Sequence, residues 1–231
     1  MLSEHRFTDQ SALLQALREF FVAHITQGLA QHPEITLLLS GGSTPLPFYR
    51  DLGQQALPWE RLHLALVDER WVAPTQAASN ERALREALGP QAAARFTGMY
   101  AASSLLAALP QVNHRYARLP RPWTLGLLGL GPDGHTASLF PAALGLGQAL
   151  STFDLCAALS ANASAAADGN TERMTLSLSA LLGINHLVLL FTGAAKWRVY
   201  EQALVTQQKD ALPVSYLLQQ DSVPLDVFWC P

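Results

Sequence analysis

The sequence predicts an α/β protein: a mostly parallel sheet with helices on both faces, in a single domain spanning residues 1–231. Three observations carry that reading. Ile35–Leu39, Leu62–Val67, Leu125–Leu130 and His186–Phe191 are short, nearly continuous apolar runs. They lack the alternation of half-exposed strands, so they read as strands buried on both faces. Stretches with helical spacing separate them, as in a parallel sheet with crossover helices. No Pro/Gly/Ser-rich linker or internal repeat divides the chain.

In chain order, Ala12–Leu29 carries Leu13, Leu17, Phe20, Phe21 and Ile25 on one helical face, and strand Ile35–Leu39 follows. Pro45–Leu52 suits a helix with Thr44 as its cap and Pro45 in its first position. After strand Leu62–Val67, Asn80–Leu88 and Ala101–Leu109 read as helices. Strand Leu125–Leu130 leads into a short helix that Pro141 ends. Phe153–Leu159 and Met174–Leu178 read as strands flanking Ser160–Thr171, a small, polar loop and the expected mobile segment. Strand His186–Phe191, a helix over Ala194–Val205 and a last strand, Leu225–Trp229, complete the chain.

Composition narrows the class of function. A chain that is 49% apolar and 14% charged is expected to fold around a sizeable core. The net charge of −3 and the absence of a basic tail give no reason to expect nucleic acid. Cys156 and Cys230 stand far apart, without metal-ligand spacing; neither a disulfide framework nor a metal site is expected, and Cys156 reads as core. Glu4, His5, Arg6 and Asp9 do not fit a signal peptide, and no apolar run is long enough to span a membrane. A cytoplasmic protein is the expectation.

The richest segment is Gly129–Pro141. Gly129, Gly131 and Gly134 spell G-x-G-x-x-G, the dinucleotide pattern. Pro132 removes an N–H group from the turn, Pro141 leaves room only for a short helix, and Asp154 begins an apolar run instead of ending one. The turn therefore reads as a close approach of backbone to something else. His135 is expected in the first helical turn, where the helix dipole disfavours its charged form, so a neutral imidazole there suits a general base. Asp133 either orients that imidazole or caps the helix.

Ligands of open α/β sheets bind beyond the carboxyl ends of the strands, and three further turns there carry polar residues. Ser40-Gly41-Gly42-Ser43-Thr44-Pro45 offers flexible backbone and a helix start, a setting for an anion. In Asp68-Glu69-Arg70-Trp71, charges at the end of a buried strand must be paired or face a cleft, and Arg70 can grip a phosphate with two nitrogens. Gly193-Ala194-Ala195-Lys196 places one of the only two lysines in a helix's first turn, which makes sense beside an anion. Singly, each has a bland reading: a capped turn, a surface ion pair, a solvated lysine. Together they describe a phosphate pocket with a base, an acid and two cations.

The blocks SGGSTP (Ser40–Pro45), VDERWVAP (Val67–Pro74) with Ser79-Asn80, GLGPDGHTASLFP (Gly129–Pro141) and the Gly193–Lys196 turn resemble those of the 6-phosphogluconolactonases, in family order and across roughly residues 10–220. The resemblance implies the fold shared by glucosamine-6-phosphate deaminases, ribose-5-phosphate isomerases and CoA transferases. It implies hydrolysis of 6-phospho-D-glucono-1,5-lactone in the oxidative pentose phosphate pathway, without a cofactor; separately, a monomer or weak homo-oligomer is expected. Carried over by residue, Gly41, Gly42, Ser43 and Thr44 hold the phosphate with Arg70 and Lys196, and Asp68 and Arg173 complete the substrate site. His135, with Asp133, activates water, and N–H groups of the glycine turn meet the developing oxyanion.

Two stretches depart from the family pattern. Ala167–Glu172 lacks the family's proline- and lysine-containing segment, and only Arg173 and Thr175 are retained at the strand start after it; Val227–Pro231 is atypical. The related deaminases carry a glutamate where this chain has Ser138, Leu139 and Phe140, and tend to have tyrosine at Arg70. A sugar-phosphate sensor would bring a basic DNA-binding segment, which is absent, and Ser43 in G-G-S-T-P fails the nucleophile-elbow pattern.

Overall fold

The computed structural model describes residues 1–161 and 169–231. Its main sheet has seven strands: β1 (Leu2–Arg6), β2 (Ile35–Leu39), β3 (Leu62–Leu66), β5 (Phe96–Thr97), β6 (Trp123–Gly129), β9 (Leu187–Thr192) and β10 (Leu225–Cys230). They run in the order β1-β10-β9-β6-β2-β3-β5, and every pairing is parallel. All five residues of β2 and the first six of β6 are buried, although neighbouring side chains point to opposite faces. Both faces are therefore covered, as the apolar runs predict.

The long helices follow their sequence signals. Helix α1 (Gln10–Gln31) extends beyond its apolar stripe because the Asp9 carboxylate accepts from Ala12 N at 2.9 Å and caps it. Helix α2 (Leu46–Leu52) starts later than expected: Pro45 is its cap residue, and the Thr44 side chain makes no cap bond. Helix α3 (Asn80–Leu88) has Ser79 as its cap. Helix α5 (Leu105–Ala117), after the short α4 (Pro90–Ala93), corrects the expected Ala101–Leu109. It continues through Pro110, since the bond that Pro110 forgoes would go to Leu106, a residue 74% exposed whose carbonyl water can satisfy. After α6 (Leu146–Ser151) and α7 (Leu178–Leu181) come α8, which spans Ala194–Val205 as expected, and α9 (Ser215–Leu218).

Two features were not anticipated. Strand β1 is an edge strand whose polar residues give no apolar run; it is held by β10 and by His5 bonded to the Asp226 carboxylate. The second feature is a separate antiparallel sheet, β4 (Asp68–Arg70), β8 (Glu172–Leu176) and β7 (Cys156–Ser160), in the order β4-β8-β7. Asp68–Arg70 is thus a short strand of its own, with Asp68 opposite Thr175 and Arg70 opposite Arg173. Of the expected polar loop, residues 162–168 lie outside the described residues. Among the described residues, no helix is long and apolar enough to cross a membrane.

Candidate active site

The neighbouring strands β9, β6, β2 and β3 lead with their carboxyl ends into one cleft. The chain leaves β2 toward β3 on one side, while β6 borders β2 on the other. Such a reversal of strand order is where open α/β sheets bind ligands. The cleft encloses about 210 Å³ and is lined by Ser40 to Pro45, Asp68, Arg70, Asn80, Gly129 to Pro132, His135, Ala137, Phe140, Arg173, Leu190 and Lys196. Of the residues given catalytic or substrate-binding roles from the sequence, Asp133 alone is not on the wall; it reaches the cleft through His135.

One half of the cleft is cationic. The Ser40–Pro45 loop is anchored at its base, where the buried Tyr49 hydroxyl donates to Ser40 O at 2.7 Å. Gly42 has φ +99°, a left-handed conformation that a side chain would strain. Among the described residues, the N–H groups of Gly41, Gly42, Ser43 and Thr44 make no hydrogen bond, so they remain available to a ligand. Arg70 donates through Nη1 to Ala78 O at 2.9 Å and to Asn80 Oδ1 at 2.7 Å. Its register partner across the β4–β8 ladder is Arg173, also at the cleft wall. Lys196 adds a third cation from the first turn of α8, and burial holds its ammonium below the ordinary lysine range.

The other half carries the histidine, and here one expectation fails. No helix follows Gly134: the next is α6, at Leu146–Ser151. Gly131 N donates to His135 O at 2.9 Å and Gly134 N to Gly131 O at 3.1 Å, closing a tight loop. Beyond it Ala137 has φ 47°, and Ser138 is tied to the second sheet, its hydroxyl to Asp68 Oδ2 at 2.6 Å and its N–H to Thr175 Oγ1 at 3.3 Å. A left-handed residue and those ties prevent the segment from winding into a helix. The dipole argument for a neutral His135 therefore does not apply, and Asp133 has no helix to cap.

Asp133 instead bonds the histidine: its Oδ1 lies 2.5 Å from His135 Nδ1 and accepts from His135 N at 3.2 Å. Burial raises the Asp133 carboxyl, but the bond from the imidazole, the imidazole's charge and the backbone N–H bonds outweigh it and hold it below the usual aspartate value. The His135 ring stacks on Phe140, with centroids 4.1 Å apart, and the Arg173 guanidinium lies 5.2 Å over that same ring. A Cβ on Gly131 would fall 2.0 Å from His135 Nδ1, so glycine is needed for the imidazole to lie against this turn. Within the turn, the Gly131 and Gly134 N–H groups are engaged and Pro132 has none, while among the described residues the Leu130 N–H, at the cleft wall, makes no hydrogen bond. For an oxyanion, the Ser40–Pro45 loop and the cations stand in the same cleft as the remaining donor of this turn.

Asn80, Ser138 and Phe140 were missed as working parts. All three lie in or beside recognised motifs, but only the folded cleft pairs them with Arg70, Asp68 and His135.

Fold and cleft together define an open-sheet α/β protein with a cationic, histidine-bearing cleft at the carboxyl ends of its strands. Residues 8–229 match the family described as Glucosamine-6-phosphate isomerases/6-phosphogluconolactonase, and the chain belongs to that family. A 6-phosphogluconolactonase of Rhizobium meliloti is 34% identical over 230 residues, covering 98% of each chain. One of Xylella fastidiosa is 36% identical over 210 residues, covering 89% of this chain and 87% of its own. A solved 6-phosphogluconolactonase structure from Shewanella baltica has a TM-score of 0.94 and 33% identity, covering 100% of this chain and 98% of that one.

Proposed function

We propose that the chain hydrolyses 6-phospho-D-glucono-1,5-lactone to 6-phospho-D-gluconate in the oxidative pentose phosphate pathway, with His135 as general base. The observation that carries the reading is the Asp133–His135 pair, at 2.5 Å, beside a cleft walled by Arg70, Arg173 and Lys196. Family membership and relatives that are lactonases along nearly their whole length support the same enzyme class. With Nδ1–H directed to Asp133, His135 Nε2 presents its lone pair to water. Water attacks C1 and gives its proton to Nε2, and a tetrahedral intermediate forms. The bond from C1 to the ring oxygen then breaks, and the imidazolium returns the proton to that oxygen as it leaves.

The phosphate lies with Gly41 to Thr44, Arg70 and Lys196, so that binding it holds C1 near the base. The Asp68 carboxylate would repel a phosphate; fixed through Oδ2 by Ser138, it accepts from a sugar hydroxyl instead. Ser138, Leu139 and Phe140 bring no carboxylate to the position where the related deaminases carry a glutamate, which favours hydrolysis. The reading needs no metal or cofactor, and every group it names lies on one chain. Disappearance of freshly made lactone, followed against a buffer blank, tests it; no acceleration over the blank would overturn it.

A further inference from the structure

Glu69 is fully buried in β4, between two residues of the cleft, and the proposed chemistry does not use it. Among the described residues its carboxylate makes no ion pair. Its partners are donors from its own strand and from the start of α3. Oε1 accepts from Arg70 N at 2.8 Å and Asn80 N at 2.7 Å. Oε2 accepts from Ser79 Oγ at 3.0 Å and Glu81 N at 2.8 Å. The carboxylate thus ties α3 to β4 through orphan N–H groups of the helix's first turn. Asn80, the first residue of α3, is fixed on both sides: its Nδ2 donates to Asp68 O at 3.0 Å, and its Oδ1 receives the Arg70 guanidinium at 2.7 Å.

From this chain of bonds we infer that Glu69 is a positioning residue for Arg70: it sets the register of α3 against β4, and Asn80 transmits that register to the guanidinium. The device also explains the choice of residue types. A carboxylate that faced Arg70 would neutralise the cation meant for substrate. A carboxylate turned into the helix start is compensated there, and Arg70 is held by two neutral acceptors, Ala78 O and Asn80 Oδ1, with its charge intact. Burial pushes the Glu69 carboxyl up to about 7, against the pull of the Glu81 and Asn80 N–H groups, the Ser79 hydroxyl and the Arg70 N–H. The inference rests on the proposed phosphate role of Arg70, and its test separates the two.

The test is a double-mutant cycle on the full chain with Glu69→Gln, Arg70→Ala and both together. It reads KM and kcat for the lactone, and the Kd for 6-phosphogluconate by calorimetry. A positioning role predicts that Glu69→Gln raises KM and Kd by about threefold to tenfold, with kcat within about twofold, and adds almost nothing once Arg70 is alanine. Additive effects, or a loss confined to kcat or to the folded fraction, would overturn it. If Glu69→Gln does not fold, Ser79→Ala, which removes one donor, replaces it in the cycle under the same criteria. A chain that binds 6-phosphogluconate through Arg70 without hydrolysing lactone defeats the lactonase reading, and Kd still judges Glu69. If Arg70→Ala leaves Kd unchanged, there is nothing to position and the inference fails.

Discussion

Among the described residues, two histidine–aspartate clusters stand at opposite ends of the parallel sheet. At the carboxyl ends of the strands, His135 Nδ1 meets Asp133 at 2.5 Å. At the amino ends, His186 precedes β9 and bonds Asp226 Oδ2 at 2.6 Å, while the other oxygen of Asp226 holds His5. The second cluster is by hydrogen bonding at least as well made. It differs in surroundings. Phe20 and Phe228 pack against its rings, and the polar pocket beside His186 is lined by no lysine or arginine. His135 instead shares its cleft with Arg70, Arg173 and Lys196. A hydrogen-bonded imidazole is common structural material; a cleft that can hold an anion beside it makes it a candidate base.

The sharpest way to break this comparison is to remove each histidine in turn. His135→Ala is expected to lower kcat by a factor of about 100 to 10,000, the usual contribution of a general base, while 6-phosphogluconate still binds. His186→Ala should leave kcat within about twofold and cost stability only, about 1–3 kcal/mol in urea unfolding. Comparable losses of kcat in both would mean that the surroundings do not distinguish the clusters. Asp133→Asn comes next. It keeps the shape but removes the acceptor that fixes the Nδ1–H tautomer, and kcat should fall by at least about tenfold with little change in KM. A normal kcat would reduce Asp133 to a turn residue. Arg70→Ala should act on binding, raising KM about tenfold for loss of one charge-assisted contact; an unchanged KM removes Arg70 from the phosphate half.

The carboxyl-end half of this contrast was legible in the sequence because parallel strands leave a local signature. Each buried strand is an apolar run, and the polar residues just after it must lie at the carboxyl edge, so Ser43, Arg70, His135 and Lys196 converge without any knowledge of pairing. What stayed hidden depends on long-range contacts. Ser138 finds Asp68 across 70 positions of sequence, and that tie helps keep Ala137–Phe140 from forming the expected helix. The antiparallel sheet stayed hidden for the same reason: Asp68–Arg70 is too short and too charged to read as a strand until β8 pairs with it. Edge strand β1 reads as polar because half of its environment is solvent and Asp226 satisfies its histidine.

The smallest expected effect concerns pH, and it again sets the two ends of the sheet against each other. Burial lowers the His186 imidazole below its ordinary 6.5, opposed by the bond and charge of Asp226 and helped by the charge of His24. The unfolded chain then binds a proton more readily than the folded one, so this group withdraws stability as pH falls through 6.5. Glu69 works in the opposite direction. Its carboxyl rises from 4.5 to about 7 on folding, so its contribution is full below 4.5 and is lost as pH climbs through about 7. Between those values the two slopes oppose each other. His186→Gln leaves Glu69 unopposed, so its melting temperature should fall as pH rises from about 5 to about 7. Glu69→Gln leaves His186 unopposed, and its melting temperature should rise over the same interval. Slopes of the same sign in both variants would show that at least one of these groups titrates in the folded protein as it does in the unfolded chain.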